Sequence, residues 1–429
     1  MKILFTIALS VLIMGVNAQN FNWTAQESGT TDWLNDVQFF DNMNGWAVGD
    51  NGTIVATIDG GDTWTVQTSG TTEKLRSVYF LTRARGWAVG GNTNMTLLTT
   101  YDGGSNWGAV PNDISEEAFL KRIEFYDDMH GFATSLNAIY YTSNGGSNWV
   151  KGVNGSSIAS SLSPNDLQVV SDTSAFMCGK YKNTSLNTRP GVFDNILHYE
   201  GQWTPQGADE FDTDDELRAI CFTDAMKGFT GGTNGKIYTM EADGDIFPSV
   251  WYLNFTAPSG GWIQSIDFFG NDYGVFNTSI EVNQQTVQLI YHSANGGDNW
   301  AAPDSIHGLL SGTLSAGDAH NVWIAGSAGQ IYKGTSKSTG IVAGQESAEF
   351  TVLPNPFSSF IRLEVEGSHR GVQLDLFSLS GQLVRTRYIH ELQDNAELSG
   401  LDDLDPGIYF LKLNSADASL NSSQKIVKY

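Results

Sequence analysis

Four segments repeat one set of oxygen-bearing side chains at fixed spacing. They are Thr57, Asp59, Gly61, Thr63 and Trp64; Thr100, Asp102, Gly104, Asn106 and Trp107; Thr142, Asn144, Gly146 and Trp149; and Ser293, Asn295, Gly297 and Trp300. The types suit a self-contained turn: Asp or Asn accepts backbone N–H bonds, glycine takes positive φ, and tryptophan packs beneath. Recurrence at one place in each copy makes these residues structural rather than catalytic. A second recurring position holds Arg76, Lys121 and Arg218, just before the strand that opens each copy, with Lys74, Arg83 and Arg85 adding charge in one copy. A basic rim on an acidic protein is a place for an anionic ligand or partner, and local pairing of the same cations is the plainer alternative. The acids Asp41, Asp127, Asp224 and Asp318 recur at one turn. The run Asp209, Glu210, Asp212, Asp214, Asp215 and Glu216 occurs once, as a solvated loop or a calcium site, although it lacks EF-hand spacing.

Composition narrows the classes. The 429 residues carry 47 acidic against 23 basic side chains, a formal net charge of −24, which disfavours nucleic acid and anionic membranes as partners. Two cysteines and seven scattered histidines form no zinc-ligand pattern, and no cofactor or metal is expected. Cys178 and Cys221 both lie in apolar strand patterns, so a disulfide and two buried thiols are both open. Lys2, the apolar stretch from Ile3 to Val16 and Asn17-Ala18 before Gln19 read as a leader removed on export, too short to span a bilayer comfortably. No other segment is apolar enough to cross one.

The elements that position these residues follow from repetition. Copies run from Leu34 to Trp64, Leu75 to Trp107, Leu120 to Trp149, Leu167 to Trp203, Leu217 to Trp251 and Ile263 to Trp300, with a partial copy from Leu314 to Thr335. Each reads as four short antiparallel strands, the grammar of one propeller blade, which must stack on its neighbours to bury both faces. The segment Asn22 to Thr31 matches Thr63 to Thr72, so an N-terminal outer strand can complete the last copy and clasp the ring. The expectation is an all-β chain: a leader (1–18), a seven-bladed β-propeller (19–334), a Gly/Ser-rich linker (335–349) and a small β-sandwich (350–429).

Several motifs carry resemblances to known families. The turns match the Asp-box pattern, and repeats such as "GWAVGDNGTI" with "TIDGGDTW" resemble the photosystem II assembly and stability factor-like propellers. That resemblance implies the fold and a habit of binding protein partners. The Asp-box propellers of sialidases and xyloglucanases are more distantly similar. Sialidase chemistry needs an arginine triad for a carboxylate, and Arg76, Arg83, Arg85, Arg122, Arg189 and Arg218 show no such arrangement. From Phe350 to Tyr429, Pro354-Asn355-Pro356, "FSLSGQLV", "PGIYFLKL" and the terminal "KIVKY" resemble the type A sorting domain of Bacteroidota type IX secretion. That resemblance implies handling by the type IX machinery and a secreted or outer-surface location in a Gram-negative bacterium.

Together these readings favour a protein- or glycan-binding and scaffolding module over catalysis. The alternative is an extracellular glycan hydrolase or lyase built on paired carboxylates.

Overall fold

A computed structural model describes residues 21–111, 114, 119–136, 138–151, 163–171, 174–182, 188–196, 204–206, 211, 215–224, 227–241, 251–258, 260–336, 350–353, 357–378, 383–402, 404, 407–415 and 421–428. The leader 1–18, linker residues 337–349, Asp209, Glu210, Asp212, Asp214 and Pro354-Asn355-Pro356 lie outside the described residues. Contacts divide the chain into two compact units, Met1–Lys337 and Ser338–Tyr429.

The first unit is a β-propeller. Its described residues form seven four-stranded antiparallel sheets, here sheets 1 to 7 in the order of their inner strands. The inner strands are Leu34–Phe39, Leu75–Phe80, Leu120–Phe125, Ser163–Ser171, Leu217–Asp224, Trp262–Phe269 and Thr313–Asp318. Each inner strand touches the next, and the last touches the first, so the sheets close into a ring. Sheet 7 takes its outer strand from the N-terminus: Phe21–Gln26 pairs antiparallel with Ile331–Ser336. Closure leaves no open sheet at the seam.

Two local features explain why these sequences form these sheets. The inner strands of sheets 1 to 6 each carry a bulge after their first core position, for example between Leu34 and Asp36 and between Leu75 and Ser77. The extra residue re-phases the alternation, so Leu34, Val37 and Phe39 are all buried. The phenylalanine that ends the strand then joins two sheets. Phe39 stacks on Trp323 of sheet 7 at 3.6 Å and meets the edge of its own sheet's Trp64 at 5.8 Å. Phe80 does the same with Trp46 and Trp107, and Phe125 with Trp87 and Trp149. Phe222 sits between Phe176 and Trp251, and Phe268 between Phe229 and Trp300. The residue opposite each ring in sheets 1, 2 and 3 is Gly45, Gly86 or Gly131, where a Cβ would come within 2.5, 2.6 or 2.5 Å of the ring carbons.

The fourth repeat departs from its sequence alignment. Leu167 was expected to open the copy, but the strand begins at Ser163 and Pro164 holds the place of Leu75. Proline replaces the apolar landmark, so alignment on leucine slips by three residues.

The five strands of the second unit are linked in one hydrogen-bonded order through a single long strand. The strand Phe360–Ser378 pairs at its start with Phe350–Leu353 and at its end with Gly407–Ser415, and a register shift between Glu364 and Ser368 divides the two halves. A single core including Phe357, Leu363, Leu374, Leu411 and Ile426 fills it.

Replacing Phe80 with alanine removes a ring packed between two sheets. It is expected to cost about 3–5 kcal/mol in urea unfolding. Ile58, 78% exposed, is expected to tolerate alanine within about 0.5 kcal/mol.

Candidate functional site

The Asp-box turns are closed hydrogen-bond circuits. Thr57 Oγ1 donates to Asp59 Oδ1 at 2.8 Å and accepts from Gly61 N at 2.8 Å. Asp59 also accepts from Thr63 N and Oγ1, at 2.9 and 2.6 Å. Asp102 repeats this with Thr100, Gly104 and Asn106. Asn144 and Asn295 supply the same acceptor to Asn148 N and Asn299 N, while Gly146 N and Gly297 N donate to Thr142 and Ser293. The bond from Thr63 holds Asp59 below the ordinary carboxylate range, as Asn106 does for Asp102. The closing tryptophans tie sheets together: Trp64 Nε1 donates to Gln26, Trp107 to Gln67 and Trp300 to Asn254, each on the preceding sheet's outer strand. The turn acids behave likewise. Asp41 accepts from Met43 N and Asn44 N, Asp127 from Met129 N and His130 N, and Asp318 from His320 N. The side chain of Asp224 lies outside the described residues.

The inner strands line a central cavity of about 310 Å³. An inner edge has no neighbouring strand to accept its N–H groups, so side chains must. Asp36 Oδ2 accepts from Val78 N at 3.0 Å, Glu124 Oε2 from Val169 N at 2.7 Å, Asp166 Oδ2 from Ile220 N at 3.0 Å and Asp267 Oδ2 from Ala316 N at 2.8 Å. Gln38 accepts from Phe80 N, Gln168 from Phe222 N and Ser315 from Phe39 N. Each bond runs from one sheet to the next. Arg122 lies among the acids, its Nη1 3.2 Å from Asp36 and its Nε 2.9 Å from Asp166. Burial raises Asp36 and Asp166 above their ordinary range despite that cation. Burial also pushes Glu124 up to about 8 and Asp267 to about 6. Each of the four carboxylates accepts a backbone N–H from the next sheet, and Arg122 also pairs with two of them. Sequence reasoning missed this set. Its signal was present: polar residues at alternate inner-strand positions (Asp36 and Gln38, Arg122 and Glu124, Asp166 and Gln168, Ser265 and Asp267).

The rim cations are placed differently from expectation. Arg76, Lys121 and Arg218 are the second residues of their inner strands, not residues before them, and they occupy the bulges. A bulged residue turns its side chain toward the next sheet. Asn35 Nδ2 thus donates to Leu75 O at 2.8 Å, and Asn165 Nδ2 to Leu217 O at 2.7 Å. Lys121 Nζ donates to Pro164 O and, at 3.0 Å, to Asn165 Oδ1. Arg76 lies 4.8 Å over the Phe119 ring and donates to Asn92 Oδ1 at 3.0 Å. Arg218 stacks on Trp262 at 3.7 Å and bonds Glu216 at 3.2 Å.

Only two of the three cations come together. Arg76 and Lys121 line one open groove of about 280 Å³ with Lys74, Phe119 and Leu136. Lys74 pairs with Asp50 at 2.9 Å. Burial is the chief cause holding Arg76 and Lys121 below their ordinary values. Arg218 stands apart, because Glu216 and Trp262 engage it. Arg83 and Arg85 follow Phe80 and so sit at the opposite end of the inner strand. Arg83 pairs with Asp41 at 2.7 Å, and Arg85 lies between Trp87 and Tyr101. In the acidic run, Asp215 is buried and accepts from Tyr238 Oη at 2.6 Å, while Glu216 binds Lys180 at 2.9 Å. Both are held by protein groups. Cys178 and Cys221 are free and buried in neighbouring sheets. Among the described residues no group of His, Cys, Asp and Glu could hold a metal ion, and no helix is long and apolar enough to cross a membrane.

Fold and site together define a β-propeller followed by a secretion sorting domain. Residues 16–207 match the family model for the photosynthesis system II assembly factor YCF48, and residues 351–429 match that for the secretion system C-terminal sorting domain. Residues 16–207 therefore carry YCF48-type repeats, and residues 351–429 form a sorting domain of the type IX system, which directs export to the cell surface or beyond. A search of curated proteins finds no match. Among solved structures, YCF48 bound to D1 peptide is similar at TM-score 0.56 and 20% identity, covering 75% of this chain and 99% of that one. YCF48 from Cyanidioschyzon merolae is similar at 0.54 and 19%, covering 72% and 98%. PorZ of Porphyromonas gingivalis, an essential bacterial surface component of its type IX secretion system, is similar at 0.54 and 13%, covering 94% of this chain and 60% of PorZ.

Arg122→Met leaves two buried carboxylates uncompensated and is expected to cost about 3–5 kcal/mol at neutral pH. Glu124 is raised in the fold, so its favourable share is complete below its ordinary 4.5 and is lost as pH rises through about 8. Glu124→Gln is therefore expected to flatten a decline in stability of up to about 1.4 kcal/mol per pH unit over that window. Urea midpoints measured across pH check both variants.

Proposed function

We propose that this protein is an exported polypeptide-binding module whose docking surface is the Arg76–Lys121 groove at one mouth of the ring. The observation that carries the reading is the pairing of two half-buried cations with Phe119 and Leu136 in a protein of net charge −24. Cations beside apolar side chains suit a chain segment that mixes acidic and apolar residues. Neither Arg76 nor Lys121 has a carboxylate among its hydrogen-bond partners given above, so an incoming carboxylate need not displace one. The YCF48 structure with a D1 peptide supports a polypeptide as ligand on this fold. The sorting domain supports a role for such binding at the cell surface or outside it.

Short immobilised peptides of varied charge, probed with the full chain, provide the test. Acidic-apolar peptides are expected to be retained. Arg76→Glu combined with Lys121→Glu is expected to lower retention at least about tenfold, while Arg218→Glu leaves it unchanged. Undiminished retention in the double variant, with an unchanged urea midpoint, sinks the proposal.

A further inference from the structure

A second site stands on sheet 6, and it uses the rim residue that the groove leaves out. Trp262 is 47% exposed although its indole carries Arg218 stacked at 3.7 Å. A chain of contacts fixes that cation. Lys180 Nζ lies 2.9 Å from Glu216 Oε2, and Glu216 Oε1 lies 3.2 Å from Arg218 Nη2. Sheets 4, 5 and 6 thus hold one exposed ring in place. A ring held before a ligand arrives costs little ordering entropy on binding.

The surroundings are polar and open. Trp262 lines a groove of about 430 Å³ with Gly261, Ser279, Ile280 and Glu281. Ser279 stands opposite Trp262 in the ladder and carries a hydroxyl bonded to Gln264. Glu281 accepts from Thr286 Oγ1 at 2.6 Å, which leaves carboxylate lone pairs for further donors. The groove wall is a long hairpin, Tyr273–Val282 and Gln285–Ser293, where sheet 1 has only Gly45–Gly49 and Ile54–Thr57. Structure added beyond what the ring needs is where binding function concentrates.

We infer that this groove binds a neutral pyranose oligosaccharide, one sugar stacking its apolar face on Trp262 while Ser279 and Glu281 take its hydroxyls. An indole offers a flat, electron-rich face to the C–H groups of a sugar ring, and short polar side chains fix the orientation. An anionic glycan fits poorly. The nearby cation is already engaged by Glu216 and the indole, and Glu281 repels negative charge. A peptide strand fits less well than a sugar, because Trp262–Phe269 and Tyr273–Val282 already pair with each other along this wall. The site lies on other sheets from the Arg76–Lys121 groove, so the two readings stand or fall separately.

Isothermal titration of the full chain with cellohexaose, laminarihexaose, xylohexaose and hexagalacturonate tests the assignment. Binding of at least one neutral probe is expected. It should weaken at least about tenfold in Trp262→Ala, weaken less in Trp262→Phe, and persist in the Arg76→Glu, Lys121→Glu double variant. Trp262 is exposed, so its substitution should leave the urea midpoint in place. Three results would overturn the inference: no heat with any neutral probe, undiminished binding in Trp262→Ala, or binding of hexagalacturonate alone.

Discussion

The ring depends on an aromatic side chain at or near the end of each of five inner strands. Phe39, Phe80, Phe125, Phe222 and Phe268 each stack on an aromatic residue of the preceding sheet and meet the edge of a tryptophan in their own. Other features follow from that contact. In sheets 1, 2 and 3 the second strand opens with glycine because the ring occupies the space of a Cβ. The Asp-box turn is rigid because it must deliver its tryptophan to the ring's edge. The propeller is thus a chain of aromatic sandwiches, each half supplied by a different sheet.

A second constraint acts at the inner edge. Seven strands face a common cavity with backbone donors that no strand can satisfy. Carboxylates and amides reach forward to the next sheet instead. Burial of these acids raises their pKa values, and Arg122 offsets part of that cost by bridging Asp36 and Asp166. The cavity's polarity therefore follows from hydrogen-bond accounting and does not by itself mark an active site.

The bulged position links architecture to recognition. In sheets 1 to 6 one residue per inner strand turns forward across a sheet boundary, and what it meets decides its use. Asn35 and Asn165 find backbone carbonyls and act as latches. Lys121 latches and also lines the groove, and Arg76 leans on Phe119 beside it. Arg218 is neutralised by Glu216 and props an exposed indole. One backbone device thus yields a structural latch, a cationic groove and an aromatic platform around a single ring mouth.

Much of the molecule is legible in the chain itself. The repeat, its four-strand grammar, the turn chemistry of Asp59, Asp102, Asn144 and Asn295, the clasping N-terminal segment and the distinct C-terminal domain are local or periodic features, and local physics writes them directly into sequence. Three things required the tertiary structure. The common place of Arg76, Lys121 and Arg218 was readable, but their separation into one groove and one stacked pair depends on Glu216, Phe119 and Trp262, which lie on neighbouring or adjoining segments brought together by the ring. Arg83 and Arg85 looked like allies of Arg76 until the strand's length placed them at its far end. The cavity acids gained meaning only once inner edges without partner strands were visible. Periodicity records what each sheet needs for itself, whereas contacts between sheets join residues tens to hundreds of positions apart, and only the closed ring decides them.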